Sequence, residues 1–259
     1  MSSQSGAADA MPRRTAMLGA GLFAFAAGAV PAASARDAAP SAAGHVVLLG
    51  DSVFDNAGYL AGRGPDVVGS LRARLPRGWR ATLLARGGSV ATDVPGQLRR
   101  LPPDATHLVV SAGGNDAGRR EGVLAEPAPS VAEALARIAA IRERFAEHYR
   151  AMLGAMAARR LPVAVCTVYD PRFADPERRR VVVVALSAFN DVVTREAYAR
   201  GLALLDLRLV CGRDEDFAGP TGPSVGGGAK IAAALAGWAA GAGTWRRRRP
   251  EVFAGEEGG

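Results

Sequence analysis

Lysine is almost absent from this 259-residue chain, because Lys230 is its only one, although the formal net charge is +7 and the sequence pI is about 10.3. A surface that binds nucleic acid through its charge is expected to use lysine as well as arginine. An arginine-only, alanine-heavy composition is instead typical of GC-rich coding. The positive charge therefore does not predict a nucleic-acid partner, and an anion- or nucleic-acid-binding protein stays only a third hypothesis.

Histidine and cysteine are also scarce, and neither forms a cluster. The chain has three histidines and two cysteines, which are His45, His107, His148, Cys166 and Cys211. None of them lies at the spacing of metal ligands. The sequence therefore predicts no metal site and no cofactor.

Long apolar runs are missing, apart from one near the start of the chain. Arg13 and Arg14 precede the uncharged run 16–30, and the small-x-small pattern of residues 33–35 follows it. This order is typical of a secretory signal, which predicts that residues 1–35 are a signal peptide and that the protein is exported, to the periplasm or beyond. The run is too short for stable membrane insertion. A mis-called start codon, with a cytoplasmic protein, is the alternative.

The last residues show no periodicity of a helix or a strand. Four arginines, Arg246–Arg249, are followed by Glu251, Glu256 and Glu257. We interpret 242–259 as a disordered tail of basic and acidic residues. One domain over 44–241 remains between the predicted signal and this tail.

Short apolar runs and helical patterns alternate through that domain. The predicted strands are His45–Gly50, Arg80–Ala85, Thr106–Ser111, Pro162–Thr167 and Leu202–Leu207. The predicted helices are Asp66–Leu75, Thr92–Leu101, Ser130–Arg160, Asp175–Gly201 and a last one within Ser224–Trp238 that starts one turn in. Five such units predict an α/β fold, a three-layer α/β/α sandwich with a five-stranded parallel sheet. Ligands bind beyond the carboxyl ends of the strands in such sheets.

Polar motifs follow the first three predicted strands at that edge. They are Gly50-Asp51-Ser52, Gly87-Gly88 and Gly113-Gly114-Asn115-Asp116. In this order they resemble the SGNH/GDSL hydrolases, a family of lipases and esterases, and the resemblance extends from about Gly44 to Gly241. It implies the flavodoxin-like fold of that family and hydrolysis of an ester.

The resemblance also implies roles for single residues. Ser52 matches the family's nucleophile, and its own N–H, the N–H of Gly88 and the amide of Asn115 match the donors to the oxyanion. Gly87 is an equally possible donor, because the match could shift by one residue. Without the resemblance, Ser52 could simply be a helix N-cap and Asn115-Asp116 a polar turn.

The general base of the family is missing from its usual place. Pro223-Ser224 matches the residues after the family's late Asp-x-x-His, which puts Gly219 at the aspartate and Gly222 at the histidine. Neither glycine can accept a proton. We expect the three histidines to be structural, so Asp170 and Asp216 are the candidate replacement bases.

Three hypotheses for the function follow. The first is a serine-dependent hydrolase of a small acyl ester or an acetylated saccharide, with a small-molecule ester as its only predicted partner. The second is a catalytically impaired relative that binds an acylated or glycan ligand, which the two glycines favour. Anion binding is the third. Cys166 and Cys211, in or after neighbouring strands, could form a disulfide in an exported protein or remain buried thiols.

Overall fold

The computed structural model describes residues 43–241, which form a five-stranded, all-parallel sheet in the order β2-β1-β3-β4-β5. The strands are β1 (His45–Gly50), β2 (Arg80–Leu83), β3 (His107–Ser111), β4 (Val163–Cys166) and β5 (Ala203–Leu205). β1 pairs with both β2 and β3, and its last residue Gly50 lies opposite Ser111. The predicted α/β fold is confirmed, although the last four strands are shorter than their apolar runs.

Helices connect consecutive strands, and two more follow β5. They are α1 (Ala57–Leu60), α2 (Val67–Arg72), α3 (Val94–Leu98), α4 (Gly114–Gly118), α5 (Val131–Ala157), α6 (Pro176–Ala199), α7 (Leu207–Val210) and α8 (Val225–Ala240). Single 3₁₀ turns lie at Ala91–Asp93, Glu121–Ala125 and Asp214–Asp216. Side chains of Asp66, Ser130 and Asp175 cap α2, α5 and α6, as the sequence predicts.

The last helix begins earlier than the sequence suggests. Ser224 is its N-cap, since Ser224 Oγ accepts a hydrogen bond from Gly227 N–H at 3.1 Å, and α8 starts at Val225. The prediction of a start one turn later was wrong. Glycines are poor helix formers, but Gly227 is required here, because a Cβ would overlap the Asp216 carbonyl oxygen. This close approach holds the start of α8 against the 3₁₀ turn at Asp214–Asp216.

Alternating residues of the strands supply two separate cores. Val46 and Leu48 point to one face of the sheet and pack with α2 and α8, whereas Val47 and Leu49 point to the other and pack with α3, α5 and α6. Both faces are therefore covered, which explains the continuous apolar runs of the strands. Truncating one of these fully buried side chains, for example Leu48→Ala, costs about 2–5 kcal/mol of folding free energy.

Two sequence predictions lie outside the described residues, namely the signal peptide over 1–35 and the tail over 242–259. Within residues 43–241, no helix is long and apolar enough to cross a membrane.

Candidate active site

Ser52 lies in a tight turn directly after β1. Gly50 adopts φ +108°, and a Cβ there would overlap the carbonyl oxygen of Ser111 on β3, so only glycine fits. The Asp51 carbonyl accepts hydrogen bonds from the N–H groups of Phe54 and Asp55 at 3.2 and 3.1 Å, which closes the turn. Ser52 is therefore held on a rigid turn at the carboxyl edge of the sheet.

The side chain of Gln97, on α3, holds this turn in place. Gln97 Oε1 accepts from Gly50 N–H at 2.7 Å, and Gln97 Nε2 donates to the Gly50 carbonyl at 2.8 Å. Gln97 is buried, so both ends of its amide are satisfied by protein groups. No local pattern signals this contact, since Gln97 is 47 residues away.

A pocket of about 210 Å³ opens beside Ser52. Asp51, Ser52, Tyr59 and Asn115 contribute to its polar end. Apolar side chains from the 3₁₀ turn after α4, from α5 and from α6 form much of the rest of its wall, among them Val123, Leu124, Ile138, Ile141, Leu186 and Phe189, and the charged residues Arg120 and Glu121 also line it. The pocket therefore places a hydroxyl and an amide at the end of an apolar cavity.

Asn115 shares this pocket because α4 is tied to the loop after β2. Asn115 Nδ2 donates to the Ser89 carbonyl at 2.9 Å, and the Asp116 carboxylate accepts from Ala91 N–H at 3.1 Å. One N–H of the Asn115 amide remains available, since the amide has two and this contact uses one. The structure thus brings Ser52 and Asn115 together, as the resemblance implied.

The two glycines after β2 differ in whether their N–H groups are hydrogen-bonded. Gly87 N–H donates to Asp55 Oδ2 at 2.8 Å, whereas the N–H groups of Gly88 and Ser52 form no hydrogen bond to any residue in 43–241. Gly88 has φ +80° and is exposed, and it lines a neighbouring depression rather than the apolar pocket. A Cβ on Gly87 would lie 3.9 Å from Ser52 Cβ, so the loop lies beside the serine. This arrangement favours Gly88 over Gly87 as the free donor.

The Asp51 carboxyl is buried directly beneath Ser52. Burial raises its pKa to about 7, against the opposing effect of the Val53 N–H, which donates to Asp51 Oδ1 at 3.0 Å. Burial also raises the pKa of Asp116, which follows Asn115 on α4. The sequence placed both residues at this edge but could not show their burial.

The two carboxylates predicted as replacement bases do not line the pocket. Asp216 is buried and pairs with Lys230 Nζ at 2.6 Å, and its carboxylate also accepts from Arg213 N–H. Asp170 follows Tyr169 at the rim. Its charge helps to raise the pKa of Arg208, although the main cause of that rise is the hydrogen bond from Arg208 to Asp206. Neither carboxylate is a hydrogen-bond partner of the Ser52 hydroxyl, whose contact within residues 43–241 is with a tyrosine.

The three histidines lie away from Ser52 as well. His45, buried at the start of β1, contacts Asp104 and Thr82. The ring of His107, at the start of β3, is tilted against Trp79 and meets Trp238 edge-on. Burial lowers the pKa of both imidazoles. His148 is exposed on α5. This placement agrees with the structural role predicted for them.

The tyrosine that contacts the Ser52 hydroxyl is Tyr59, which the sequence did not identify as a site residue. Its hydroxyl donates to Ser52 Oγ at 3.4 Å, and its ring occupies the volume where a Cβ on Gly222 would stand, 2.5 Å from Tyr59 Cγ. Tyr59 belongs to the one-turn helix α1, which no pattern in the sequence marks. A tyrosine therefore contacts Ser52 from the side on which Gly222 lies.

Comparison with known families gives the same assignment as the motifs. The sequence model of the GDSL-like lipase/acylhydrolase family matches residues 48–229, well over half of the chain. The chain belongs to this family. Membership supports hydrolysis of esters in general for this GDSL protein.

Solved structures agree on the fold. An extracellular lipase from Streptomyces rimosus is 20% identical, with a TM-score of 0.54 over 73% of this chain and 96% of the lipase. Phospholipase A1 from Streptomyces albidoflavus NA297 is 19% identical, with a TM-score of 0.53 over 72% and 94%. A lipase from a goat rumen metagenome is 18% identical, with a TM-score of 0.58 over 75% and 98%. No curated protein matches this GDSL protein significantly.

Proposed function

We propose that this GDSL protein is a serine-dependent hydrolase of carboxylic esters that carry an apolar acyl group. The observation that carries the proposal is the pocket itself, where Ser52 and Asn115 stand at the polar end of an apolar cavity. An ester whose acyl chain fills that cavity would present its carbonyl carbon to Ser52 Oγ.

The chemistry needs donors where negative charge develops. As Ser52 Oγ bonds to the carbonyl carbon, the carbonyl oxygen becomes an oxyanion. The donors that would hold it are the N–H groups of Ser52 and Gly88, which have no partner within residues 43–241, and the free N–H of the Asn115 amide. Loss of one such donor costs on the order of 3 kcal/mol of transition-state stabilisation.

The wall of the pocket favours one substrate class over the other. The residues from α5 and α6 that line it are mainly aliphatic and aromatic, which suits an acyl chain and offers few partners to sugar hydroxyls. The similarity to lipase structures supports the same choice. We therefore place an acyl ester ahead of an acetylated saccharide.

A small-molecule ester is the only partner we propose. Many arginines of the described domain are paired with carboxylates, among them Arg137, Arg142, Arg150, Arg178, Arg195 and Arg200, so part of the positive charge is offset locally. We also propose export, which is supported by the signal-like residues 1–35 and by similarity to a lipase described as extracellular.

Turnover of p-nitrophenyl acetate and butyrate tests the proposal. Wild type should hydrolyse both esters and should react with a fluorophosphonate probe, whereas Ser52→Ala should lose both activities. Ser187→Ala is the matched control, since Ser187 is exposed on α6 and its hydroxyl bonds only its own helix. Equal rates for wild type and Ser52→Ala would remove the proposal.

The second candidate function is binding of an acylated ligand without hydrolysis. Gly219 and Gly222 favour it, because they stand where the family has its aspartate and histidine. It predicts that a fatty acid or ester binds in the pocket while wild type neither turns over p-nitrophenyl esters nor reacts with the probe at any pH from 6 to 10.

A further inference from the structure

Ser52 has one side-chain partner among residues 43–241, and that partner is Tyr59. A serine hydroxyl is a weak nucleophile unless a neighbouring group takes its proton. The distance of 3.4 Å between Tyr59 Oη and Ser52 Oγ is long for a hydrogen bond, but catalytic hydrogen bonds often shorten only when substrate binds. The Tyr59 hydroxyl is thus placed to exchange a proton with the nucleophile.

Buried contacts hold Tyr59 in this position. Asn56, which precedes α1 and is fully buried, donates through Nδ2 to the Pro223 carbonyl at 3.1 Å and accepts through Oδ1 from Val67 N–H at 2.9 Å. The first bond joins the start of α1 to the segment that contains Gly222, and the second joins it to the start of α2. The Tyr59 ring packs onto Gly222 at the junction, in volume that any larger residue at 222 would need.

We propose that Tyr59 is the catalytic base of this site, in the space left by Gly222, and this rests on the proposed function of Ser52. The Tyr59 phenolate removes the proton of the Ser52 hydroxyl while Ser52 Oγ bonds to the acyl carbon. The oxyanion then collapses, the bond between the acyl carbon and the alcohol oxygen breaks, and the departing alcohol takes the proton from Tyr59.

The second half of the cycle returns every group to its starting state. A water molecule attacks the acyl-serine and gives its proton to the Tyr59 phenolate. Ser52 Oγ leaves the acyl carbon, recovers that proton from Tyr59 and frees the carboxylic acid. The sum of the two halves is the ester plus water giving an acid and an alcohol.

An alkaline pH dependence follows. Only a deprotonated base can take the proton of Ser52, so the rate of a reaction that uses this base rises as the pH rises. Other groups on the turn after β1 and around the pocket also carry or can lose charge, namely Asp51, Asp55, Arg120, Glu121 and Tyr169. A transition of Asp51 would lie near pH 7. It is therefore separable from an alkaline rise.

The experiment measures kcat and KM for p-nitrophenyl butyrate from pH 6 to 10 in wild type, Tyr59→Phe and Tyr198→Phe. Tyr59→Phe keeps the ring against Gly222 and removes only the hydroxyl, so the fold should persist. We expect kcat to fall on the order of 100-fold or more and the alkaline rise to disappear, with KM little changed. Tyr198→Phe, at an exposed position on α6, should match wild type.

The outcomes separate this proposal from the one on which it rests. If Tyr59→Phe keeps kcat within about threefold of wild type and keeps the alkaline rise, Tyr59 is not the base, whereas Ser52 stands if Ser52→Ala is inactive. If Ser52→Ala and wild type have equal rates, both the proposed function and the role of Tyr59 as base are wrong. A loss in kcat whose pH profile still rises would also overturn the role of Tyr59 as base.

Discussion

The Tyr59 ring and the missing side chain of Gly222 fill the same volume, since a Cβ on Gly222 would stand 2.5–2.7 Å from three atoms of that ring. The two residues are therefore a matched pair. Tyr59 is 38% exposed, so a larger residue at 222 can push it toward solvent without unfolding the domain.

Gly222→Ala is therefore expected to lower kcat about as much as Tyr59→Phe does. The added methyl displaces the tyrosine hydroxyl from Ser52 Oγ. Gly219→Ala is the matched control, because a Cβ at Gly219 meets nothing within 4 Å. Ester turnover of both variants and of the double variant Tyr59→Phe/Gly222→Ala checks this. A double variant much slower than either single one would show that the two changes act independently.

Asp216→Asn is expected to reduce stability and to leave catalysis intact. Asp216 is 2% exposed and its partner Lys230 is 41% exposed, so the lysine can reach water once the charge is gone. We expect a loss of about 1–3 kcal/mol in the free energy of unfolding. Urea unfolding and turnover at a temperature where the variant is folded measure the two effects.

Glu215→Gln serves as the control for Asp216, because Glu215 is an exposed carboxylate in the same 3₁₀ turn. It should change neither stability nor turnover appreciably. Loss of turnover in folded Asp216→Asn would instead assign the base to Asp216.

Stability is expected to fall as pH rises, because of Asp51. The folded protein holds this proton up to about pH 7, whereas an aspartate in the unfolded chain releases it near 3.8, so the folded state binds more protons between these values. Each pH unit up to about pH 7 lowers the free energy of unfolding by about 1.4 kcal/mol, and the effect levels off above that pH. The loss between pH 5 and pH 8 is therefore about 3 kcal/mol. Asp51→Asn should lose this part of the pH dependence. Urea unfolding of both proteins at pH 5 and pH 8 gives the comparison, and parallel pH profiles would contradict it.

Ala185→Phe is expected to shorten the acyl chains that the enzyme accepts. Ala185 lines the pocket from α6, and a phenyl ring there reduces the cavity. We expect kcat/KM for p-nitrophenyl butyrate to fall on the order of 10-fold or more, and that for the acetate to change little. Val184→Phe, on the same helix but 69% exposed, is the control. An equal loss for both esters would argue against acyl binding in this pocket.

Cys166 and Cys211 are expected to be unreactive in the folded protein. Both are buried free thiols, and burial raises the pKa of both, that of Cys211 to about 12. Thiolate is the reactive form, so a thiol reagent should find none in the native state and two per chain in denaturant. No thiols in denaturant without reductant would show that the two are oxidised.

Much of the fold could be predicted from the sequence because its signals are local. Continuous apolar runs such as His45–Gly50 mark strands buried on both faces, and Ser130 and Asp175 mark the starts of long helices. The order of Gly50-Asp51-Ser52, Gly88 and Asn115 after successive strands was enough to place them at one edge. Short elements such as α1 lacked a capping side chain and were missed.

The sequence by itself thus determined the parallel sheet, the family and the position of Ser52, since each depends on residues close together in the chain. Only the tertiary structure decided what surrounds Ser52. Gly222 lies far along the chain from Tyr59, and their packing depends on Asn56 joining two distant segments. The burial of Asp51 and the pairing of Asp216 with Lys230 likewise arise only when α8 and the sheet assemble. These contacts join residues that are far apart in the chain, so no local sequence pattern predicts them.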